Sequence, residues 1–427
     1  MSSAISSPGL CTTGVPGLDS ILAGGLPRNR LYLVEGDPGV GKTTMALQFL
    51  LEGARLNETG LYITLSETKE ELAGVARSHG WSLNKFNIFE LSAIEQQLKG
   101  ETEHTFFHPS EIELNKTTQI LLNEVERLKP TRVVFDSLSE MRLMAETPLR
   151  YRRQVLSLKQ FFAGRNCTTL FLDDRTSSAH DLQVRSLAHG VVTLEKSSPK
   201  YGIARRSLVI EKIRGVKFRE GFHDFSIRTG GAVVFPRLVA SEHHTDFKRE
   251  SFSTGIEGLD ALLGGGIDRG TSTMIMGPPG TGKSTLAIKH ACLAAARGER
   301  VHMFIFDETI GTLVARAAEL GLDVRSHLKS GLLRLDQIDP AEISPGELTH
   351  CIREAVEQQN TRMIIIDSIN GYLNAMPEED YLSLQLHEML AYLNQQGVTT
   401  IMILAQQGVI GAMQSPVDLT YLSDTVL

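Results

Sequence analysis

Two stretches of this sequence read LYLVEGDPGVGKTT, residues 31–44, and STMIMGPPGTGKST, residues 272–285. Both contain the pattern G-x-x-x-x-G-K-[ST], and in both an apolar run precedes the pattern and a helical pattern follows it. In this context the glycines let backbone N–H groups turn toward the phosphates of a nucleotide, and the lysine adds a positive charge. The two stretches therefore predict two phosphate-binding loops, each between a strand and a helix.

The expected nucleotide contacts are the loop residues themselves. They are Gly36, Gly39, Val40, Gly41, Lys42, Thr43 and Thr44 in the first loop, and Gly277, Gly280, Thr281, Gly282, Lys283, Ser284 and Thr285 in the second. In loops of this pattern the hydroxyl after the lysine ligates Mg²⁺. The sequence therefore predicts binding of ATP with Mg²⁺, in which Thr43 and Ser284 are the metal ligands.

A carboxylate ends a later apolar strand in each half of the chain. Asp136 closes the run VVFD, Asp367 closes the run IIID, and a serine follows each. An aspartate after a strand is often no more than a helix N-cap. A phosphate-binding loop precedes both aspartates in the same unit, however, and this favours the other role of such a carboxylate, which is to hold the Mg²⁺ shell.

Both loops belong to one unit that the chain contains twice. The segment TTGVPGLDSILAGGL, residues 12–26, precedes the first loop, and STGIEGLDALLGGGI, residues 253–267, precedes the second. Each copy alternates short β-rich runs with helical patterns, which is typical of a mostly parallel sheet flanked by helices. We therefore expect an α/β fold of two tandem domains, residues 1–240 and 252–427, joined by a polar linker at 241–251.

The two copies are not identical in length. Their spacing shortens from 241 residues at the loop lysines to 231 at the strand-ending aspartates, because the first copy carries extra residues around 104–111. We expect a surface loop there, in which His104 and His108 are solvated rather than a metal pair. The first copy then continues into runs without helical period, residues 190–228, which predict antiparallel strands at the sheet edge. The second copy reaches residue 427 before the corresponding runs, so its domain is expected to lack those terminal strands.

Composition narrows the class of protein. The chain has 427 residues, of which 41% are hydrophobic, and a length of this size favours two domains. A net charge of −7 gives no overall attraction for nucleic acid or an anionic membrane. The four cysteines contain no C-x-x-C pair, so a reducing cytoplasm fits better than a disulfide framework or a zinc knuckle. No apolar run approaches the length that spans a bilayer, and the first residues lack the pattern of a signal peptide.

The catalytic candidates follow the second predicted strand of each copy, residues 60–65 and 300–306. Glu67 and Glu308 lie at the edge of the sheet where open α/β folds bind ligands, and a carboxylate there can orient or deprotonate an attacking water. Asp307 precedes Glu308, whereas Ser66 precedes Glu67, so the two domains differ where a base is needed. Further polar residues that could sense a terminal phosphate follow the fourth predicted strand of each copy, residues 168–172 and 399–404. They are Asp173, Asp174 and Arg175 in the first copy, and Gln406 and Gln407 in the second.

With these residues the sequence resembles the KaiC family, ATPases of the RecA superfamily with two tandem domains. The resemblance rests on the paired TG-x-x-GLD segments, both loops, Glu67, the pair at Asp307 and Glu308, and the Asp-Ser pairs at 136 and 367, and it covers nearly the whole chain. It implies two RecA-like P-loop domains, ATP and Mg²⁺ as ligands, and ATP hydrolysis. The family has two successive carboxylates after the second strand, and Ser66 departs from this pattern.

The resemblance also implies homohexamers with ATP between subunits. In the family, a K-x-R-G strand of one subunit reaches the terminal phosphate of the neighbour's nucleotide, and the match here implies that role for Lys212 and Arg214. An inserted cation of this kind neutralises charge on the transferred phosphoryl group. The alternative for the two side chains is that they only keep an edge strand soluble.

The founding member of the family is a cyanobacterial circadian clock protein that phosphorylates itself on adjacent Ser and Thr residues. Thr420 and Tyr421 occupy those places, so the resemblance implies Thr420 as a phosphoacceptor and leaves autokinase activity open. It further implies a signalling or timing role in the cytoplasm with KaiB-like or other signalling protein partners. Two other functions stay open: a DNA-dependent RecA-type motor and an ATP-stabilised assembly scaffold. The acidic balance and the lack of an aromatic and basic stripe count against DNA.

Overall fold

The computed structural model describes residues 9–90, 109–145, 147–175, 182–374, 381–406 and 420–427. These residues form two compact units, which divide between Arg237 and Leu238, while residues 199–203 group with the second unit. Each unit contains a large, mostly parallel sheet with helices on both faces, as the alternating strand and helix patterns predict.

The first unit is built on a nine-stranded sheet, which is accompanied by a two-stranded ribbon. Its strands, numbered along the chain, are β1 (Leu10–Cys11), β2 (Leu26–Pro27), β3 (Leu31–Gly36), β4 (Gly60–Thr64), β5 (Asn87–Glu90), β6 (Arg132–Asp136), β7 (Thr168–Asp174), β8 (Gly190–Ser197), β9 (Arg205–Ile213), β10 (Phe222–Arg228) and β11 (Gly231–Phe235). Its helices are α1 (Leu18–Ile21), α2 (Lys42–Arg55), α3 (Lys69–Ser78), α4 (Pro109–Leu128), α5 (Leu138–Ala145), α6 (Pro148–Ala163) and α7 (Leu182–Leu187). The order across the large sheet is β11-β10-β9-β8-β3-β7-β6-β4-β5.

One expectation for this unit is confirmed and one needs correction. The runs from Gly190 to Arg228 were expected to be antiparallel edge strands, and β8, β9 and β10 do pair antiparallel with one another, while β8 also lies parallel to β3 on its other side. The α7 segment lets the chain cross back before β8 starts, as a parallel connection requires. The end of the expected surface loop, residues 109–111, forms the start of α4, while His104 and His108 lie outside the described residues.

The second unit repeats the arrangement with a large sheet of six parallel strands and a two-stranded antiparallel ribbon. Its described strands are β12 (Ser251–Phe252), β13 (Ile267–Asp268), β14 (Ser272–Gly277), β15 (Arg300–Ile305), β16 (Leu333–Gln337), β17 (Thr361–Asp367), β18 (Thr399–Ala405) and β19 (Thr425–Val426). Its helices are α8 (Glu257–Leu262), α9 (Lys283–Ala296), α10 (Ile310–Glu319), α11 (Val324–Ser330), α12 (Pro345–Glu357), α13 (Ile369–Asn374) and α14 (Leu382–Gln395), with short 3₁₀ turns at Ala240–Glu242 and Thr420–Leu422. The large sheet runs β16-β15-β17-β18-β14-β19, while β12 and β13 form a separate ribbon.

The strand before each phosphate-binding loop packs against apolar side chains on both faces. Successive side chains of a strand point to opposite faces, so Tyr32 and Val34 pack into one hydrophobic cluster of the first unit and Leu31 and Leu33 into another. A strand covered on both sides reads as a continuous apolar run rather than an alternating one. This is why the run before each phosphate-binding loop is almost wholly apolar.

Candidate nucleotide sites

The first loop joins β3 to α2 at the carboxyl edge of the sheet. Gly39 and Gly41 have φ values of 74° and 121°, a region that side-chain-bearing residues rarely adopt. A Cβ at Gly41 would also lie 2.6 Å from Ile227 Cδ1. The conformation of this loop therefore requires its glycines, and α2 begins directly after it at Lys42.

The loop lysine of the first unit already has an anionic partner. Lys42 Nζ donates to the carbonyl oxygens of Gly36 at 2.7 Å and Asp37 at 3.0 Å, and it forms an ion pair with Asp174 Oδ1 at 2.7 Å. Asp174 ends β7, directly opposite Gly36 in the sheet register. A carboxylate oxygen thus binds the same ammonium group that is expected to bind a phosphate oxygen.

The carboxylate expected at the metal shell lies beside the loop hydroxyl. Asp136 ends β6, next to β4 and β7, and its Oδ2 accepts a hydrogen bond of 2.5 Å from the Tyr62 hydroxyl. The Thr43 side chain also hydrogen-bonds this pair. Burial raises the pKa of Asp136. The structure therefore brings together Thr43 and Asp136, as the sequence predicted, and adds Tyr62, which the sequence analysis missed.

Glu67 is held close to this cluster by its own backbone. Thr64 Oγ1 accepts from Glu67 N at 3.0 Å and donates to Glu67 O at 2.7 Å, which fixes the turn after β4. Thr68 then starts α3 with a capping box, paired with Glu71. Burial, followed by the charges of Asp136, Glu71 and Asp174, raises the pKa of Glu67 to about 7. Its Oε2 is buried and has no hydrogen-bond partner among the described residues, whereas Ser66 is exposed.

The second loop has the same backbone but different neighbours. Lys283 Nζ donates to the carbonyl oxygens of Gly277 at 2.9 Å and Pro278 at 2.7 Å. Gly280 and Gly282 have φ values of 81° and 87°, and α9 begins after them. Ala405 lies opposite Gly277 in the register, where the first unit has an aspartate. The ammonium group in this loop therefore has carbonyl partners in place of an ion pair.

The acidic cluster of the second unit is bound differently from that of the first. Ser284 hydrogen-bonds Asp367, and burial, followed by the charges of Glu308 and Asp307, raises the pKa of Asp367 to about 6. Asp307 accepts a hydrogen bond from the Ser368 hydroxyl. Glu308 Oε1 instead pairs with Arg316 on α10 at 2.6 Å. The peptide bonds after both strand-ending aspartates are cis.

These groups fit a bound Mg²⁺. In each unit a hydroxyl and a carboxylate from different elements meet beside the phosphate-binding loop, and Oδ2 of Asp367 is buried without a partner. In the described part of the chain, no three His, Cys, Asp or Glu side chains form a complete metal site by themselves. Mg²⁺ usually keeps several waters and is bound through one or two protein oxygens plus substrate phosphates. Thr43 with Asp136, and Ser284 with Asp367, supply such a partial set.

Lys212 and Arg214 lie far from the loop of their own unit. Lys212 is the second-last residue of β9 and Arg214 follows the strand; the register pairs Lys212 with Val191 near the start of β8, while the loop lies toward the opposite edge, where Gly36 pairs with Leu194. Lys212 Nζ donates to the carbonyl oxygen of Arg185, and Arg214 donates to that of Ser186 at 2.8 Å. Both cations therefore lie at the amino edge of the sheet.

The remaining predicted site residues are the polar residues after the fourth predicted strand of each copy and the predicted phosphoacceptor. Asp173 pairs with Arg142 at 2.6 Å and Arg175 pairs with Glu195 at 3.3 Å, so neither points freely toward the loop. Gln406 N donates to Gly277 O at 3.1 Å, whereas Gln407 lies outside the described residues. Thr420 begins a 3₁₀ turn and is half-buried.

The sequence could have indicated the residues that were missed. Tyr62 and Arg316 stand where the other copy has Met303 and Val75, at the spacing that aligns the loops. The available signal was a difference between the two copies at a position close in sequence to an aligned glutamate, which is Glu67 for Tyr62 and Glu308 for Arg316. Their contacts could not be predicted, because each reaches a partner distant in sequence or on another turn of a helix.

The comparisons with known proteins agree with this geometry. A family model described as "ATPase: KaiC" matches residues 11–239 and again residues 252–423. The circadian clock oscillator protein KaiC of Parathermosynechococcus lividus is 28% identical over 377 residues, which are 86% of this chain and 68% of that protein. The circadian clock protein KaiC2 of Synechocystis is 26% identical over 375 residues, 86% of this chain and 64% of that protein. No described helix is long and apolar enough to cross a membrane.

Proposed function

This chain belongs to the KaiC family of ATPases, and from that premise we propose that it works as a Mg²⁺- and ATP-dependent homohexamer whose nucleotide state is a signal or timer. The functional units in this proposal are the tandem domains 1–240 and 252–427, with 241–251 as their linker. One observation carries the proposal: each unit brings a phosphate-binding loop, a strand-ending aspartate and a further glutamate to one edge of its sheet. A phosphate-binding loop by itself could bind ATP merely to assemble subunits. A loop accompanied by an aspartate and a glutamate, as in both units, favours hydrolysis of ATP.

Binding of ATP begins with an exchange at the loop lysine. In the first domain Lys42 gives up Asp174 for a phosphate oxygen, while Lys283 in the second domain pairs with no carboxylate among the residues that the structure describes. Backbone N–H groups of the loop and the start of the helix bind the remaining phosphate oxygens. Thr43 with Asp136, and Ser284 with Asp367, hold Mg²⁺, which neutralises charge on the phosphates when bound.

The attacking water is activated by a carboxylate in each domain. Glu67 serves the first domain, and its half-buried, partnerless oxygen is suited to accept a proton near neutral pH. Asp307 and Glu308 serve the second, where Glu308 must part from Arg316 before it can take a proton. The two domains therefore hydrolyse ATP by the same reaction, but before ATP binds the glutamate of the second domain is held in an ion pair, and that of the first has no such partner within the described part of the chain.

The hexamer is supported by the position of Lys212 and Arg214 at the amino edge of the first sheet, opposite their own loop. In the proposed hexamer a neighbouring copy brings these cations to a nucleotide. There they would stabilise charge on the transferred phosphoryl group in trans. Charge reversal at Arg214, which is exposed, is therefore expected to weaken assembly more than binding of nucleotide to the loops.

Nucleotide counting with size measurement tests the proposal. Two nucleotides per chain are expected, and Lys42→Ala and Lys283→Ala should each remove one, as measured by native mass spectrometry. Light scattering should show hexamers that Mg-ATP strengthens. A chain that stays monomeric at micromolar concentration with saturating Mg-ATP would contradict the proposal, and so would retention of both nucleotides by either lysine variant.

Further measurements separate the finer parts of the proposal. Phosphate on Thr420 after incubation with ATP, present only when Asp307 and Glu308 are intact, would establish autokinase activity in the second domain. Its absence would leave an ATPase. A DNA-dependent motor would instead show a stimulation of phosphate release by single-stranded DNA of more than about tenfold, or roughly 1.4 kcal/mol in the barrier. A scaffold would assemble with ATP and release almost no phosphate. KaiB-like or other signalling protein partners would bind the assembled form.

A further inference from the structure

The amino edge of the first sheet contains a small cavity that the nucleotide sites do not use. It measures about 80 Å³, which is room for several waters or one tetrahedral oxyanion. Its polar lining includes Arg30 before β3, Lys159 on α6, His189 before β8 and Arg214 after β9. Four separate elements of one domain therefore direct cationic or hydrogen-bonding side chains to a single place.

The charges in this cavity are not compensated by the protein. Arg30 donates to the carbonyl oxygen of Asn29 and Arg214 to that of Ser186, but among the described residues none of the four pairs with a carboxylate. Burial, followed by the charges of Arg30, Arg214 and Lys159, lowers the pKa of His189. The three permanent cations thus act on one another and on the histidine. Arg30 and Arg214 are exposed and Lys159 is half-buried, so water screens their mutual repulsion, and an anion that enters the cavity is attracted by all three charges.

The second domain shows that the fold itself does not require these cations. Equivalent backbone hydrogen bonds identify the matched positions of the two copies. Thr169 N donates to Arg30 O in the first copy, and Thr400 N donates to Thr271 O in the second. In the same way, His189 N donates to Leu31 O and Asp424 N donates to Ser272 O. The second copy thus has Thr271 and Asp424 where the first has Arg30 and His189. Leu390, buried in the core, matches Lys159 by the spacing between the copies.

We propose that the cavity formed by Arg30, Lys159, His189 and Arg214 is a binding site for a phosphate-type oxyanion. Two arginines offer planar, paired donors that suit tetrahedral oxyanions, and Lys159 adds a point charge. Three permanent positive charges match a doubly charged anion better than a single carboxylate. Two sources can supply this chemistry: free inorganic phosphate, or the terminal phosphate of a nucleotide held by a second copy. The second source rests on the proposed hexamer, whereas the first does not.

Binding of inorganic phosphate to the nucleotide-free full chain tests the first source. The measurement uses isothermal titration in a Lys42→Ala, Lys283→Ala background, which weakens phosphate binding at both loops. One phosphate per chain is expected. Arg30→Gln combined with Lys159→Gln should weaken its affinity at least tenfold, whereas Lys85→Gln, which removes one charge from an exposed lysine elsewhere in the same domain, should change it less than twofold. Circular dichroism verifies that each variant is folded.

Assembly of the chain with intact loops tests the second source. If the occupant is a neighbour's nucleotide, the Arg30→Gln, Lys159→Gln variant needs at least tenfold more Mg-ATP to assemble by light scattering, while its loops still bind nucleotide. Either result, loss of phosphate affinity or loss of assembly confined to this variant, supports the site. The proposal is overturned if assembly of the variant is unchanged and, in addition, phosphate either does not bind or binds the variant as tightly as its background. A wild-type chain that never assembles would refute the hexamer, and the phosphate titration would then decide this site alone.

Discussion

The pH dependence of the first domain follows from the surroundings of Glu67. Burial is the main cause that raises the pKa of Glu67 to about 7, and the charges of Asp136, Glu71 and Asp174 add to it. A general base works only when deprotonated, so activity is present above this pKa and is lost below it. The active fraction falls from about nine-tenths at pH 8 to about one-tenth at pH 6. We therefore expect kcat/KM of the first domain, which reports the ionisation of the free enzyme, to fall about ninefold to tenfold over this interval.

The assay needs a chain in which only the first loop binds nucleotide, and Lys283→Ala provides it. Phosphate release is measured at low Mg-ATP between pH 6 and pH 8. In the same background, Glu67→Gln should lower turnover by about 10²- to 10⁴-fold while nucleotide stays bound, because a neutral amide cannot take the proton. A profile that is flat from pH 6 to pH 8 would refute the assignment of Glu67 as the base. Turnover that survives in Glu67→Gln would do the same.

Three other contacts give further predictions. Asp174→Ala should tighten nucleotide binding at the first loop by about twofold to tenfold, because Lys42 loses a competing carboxylate, and weaker binding in an equilibrium titration would contradict this. Arg316→Ala should raise phosphate release by the second domain about severalfold, since Glu308 no longer has to leave a cation, and a decrease would show that the arginine assists it. Tyr62→Phe removes a buried hydrogen bond to a carboxylate and should destabilise the first domain by about 1.5–3 kcal/mol, seen by calorimetry as an earlier transition of that domain; an unchanged transition would count against this contact.

The sequence predicts the fold because the signals for it are local and occur twice. The glycines of each loop, the apolar run before it and the capping box at Thr68 depend on residues within a few positions of one another. The parallel direction of β8 was not predictable in this way, since α7, which reverses the chain, is only six residues long and gives a weak helical pattern.

The side-chain partners within the sites were beyond prediction for a different reason. That Asp136 would lie near the first loop follows from the order of parallel strands, since their carboxyl ends meet at one edge. Which group would bind it depends on the register of β4 against β6, which sets Tyr62 beside Val134 and within reach of the aspartate. The register depends on how the two strands pair in the folded sheet, so it cannot be predicted from the sequence of either strand alone.

The ion pair between Lys42 and Asp174 has a consequence for how each domain responds when ATP is withdrawn. In the first domain the carboxylate takes the place of a phosphate, so the empty loop keeps an anion at its centre. The second domain has Ala405 at the matching position, and within the described part of the chain its loop lysine has carbonyl oxygens as its partners. A ligand stabilises the domain that it binds by an amount that grows with its affinity, and affinity is expected to be higher where no ion pair has to be broken first. Amide hydrogens around the second loop should therefore exchange with solvent sooner than those around the first as nucleotide leaves, so that loss of ATP loosens one half of the chain while the other half stays ordered.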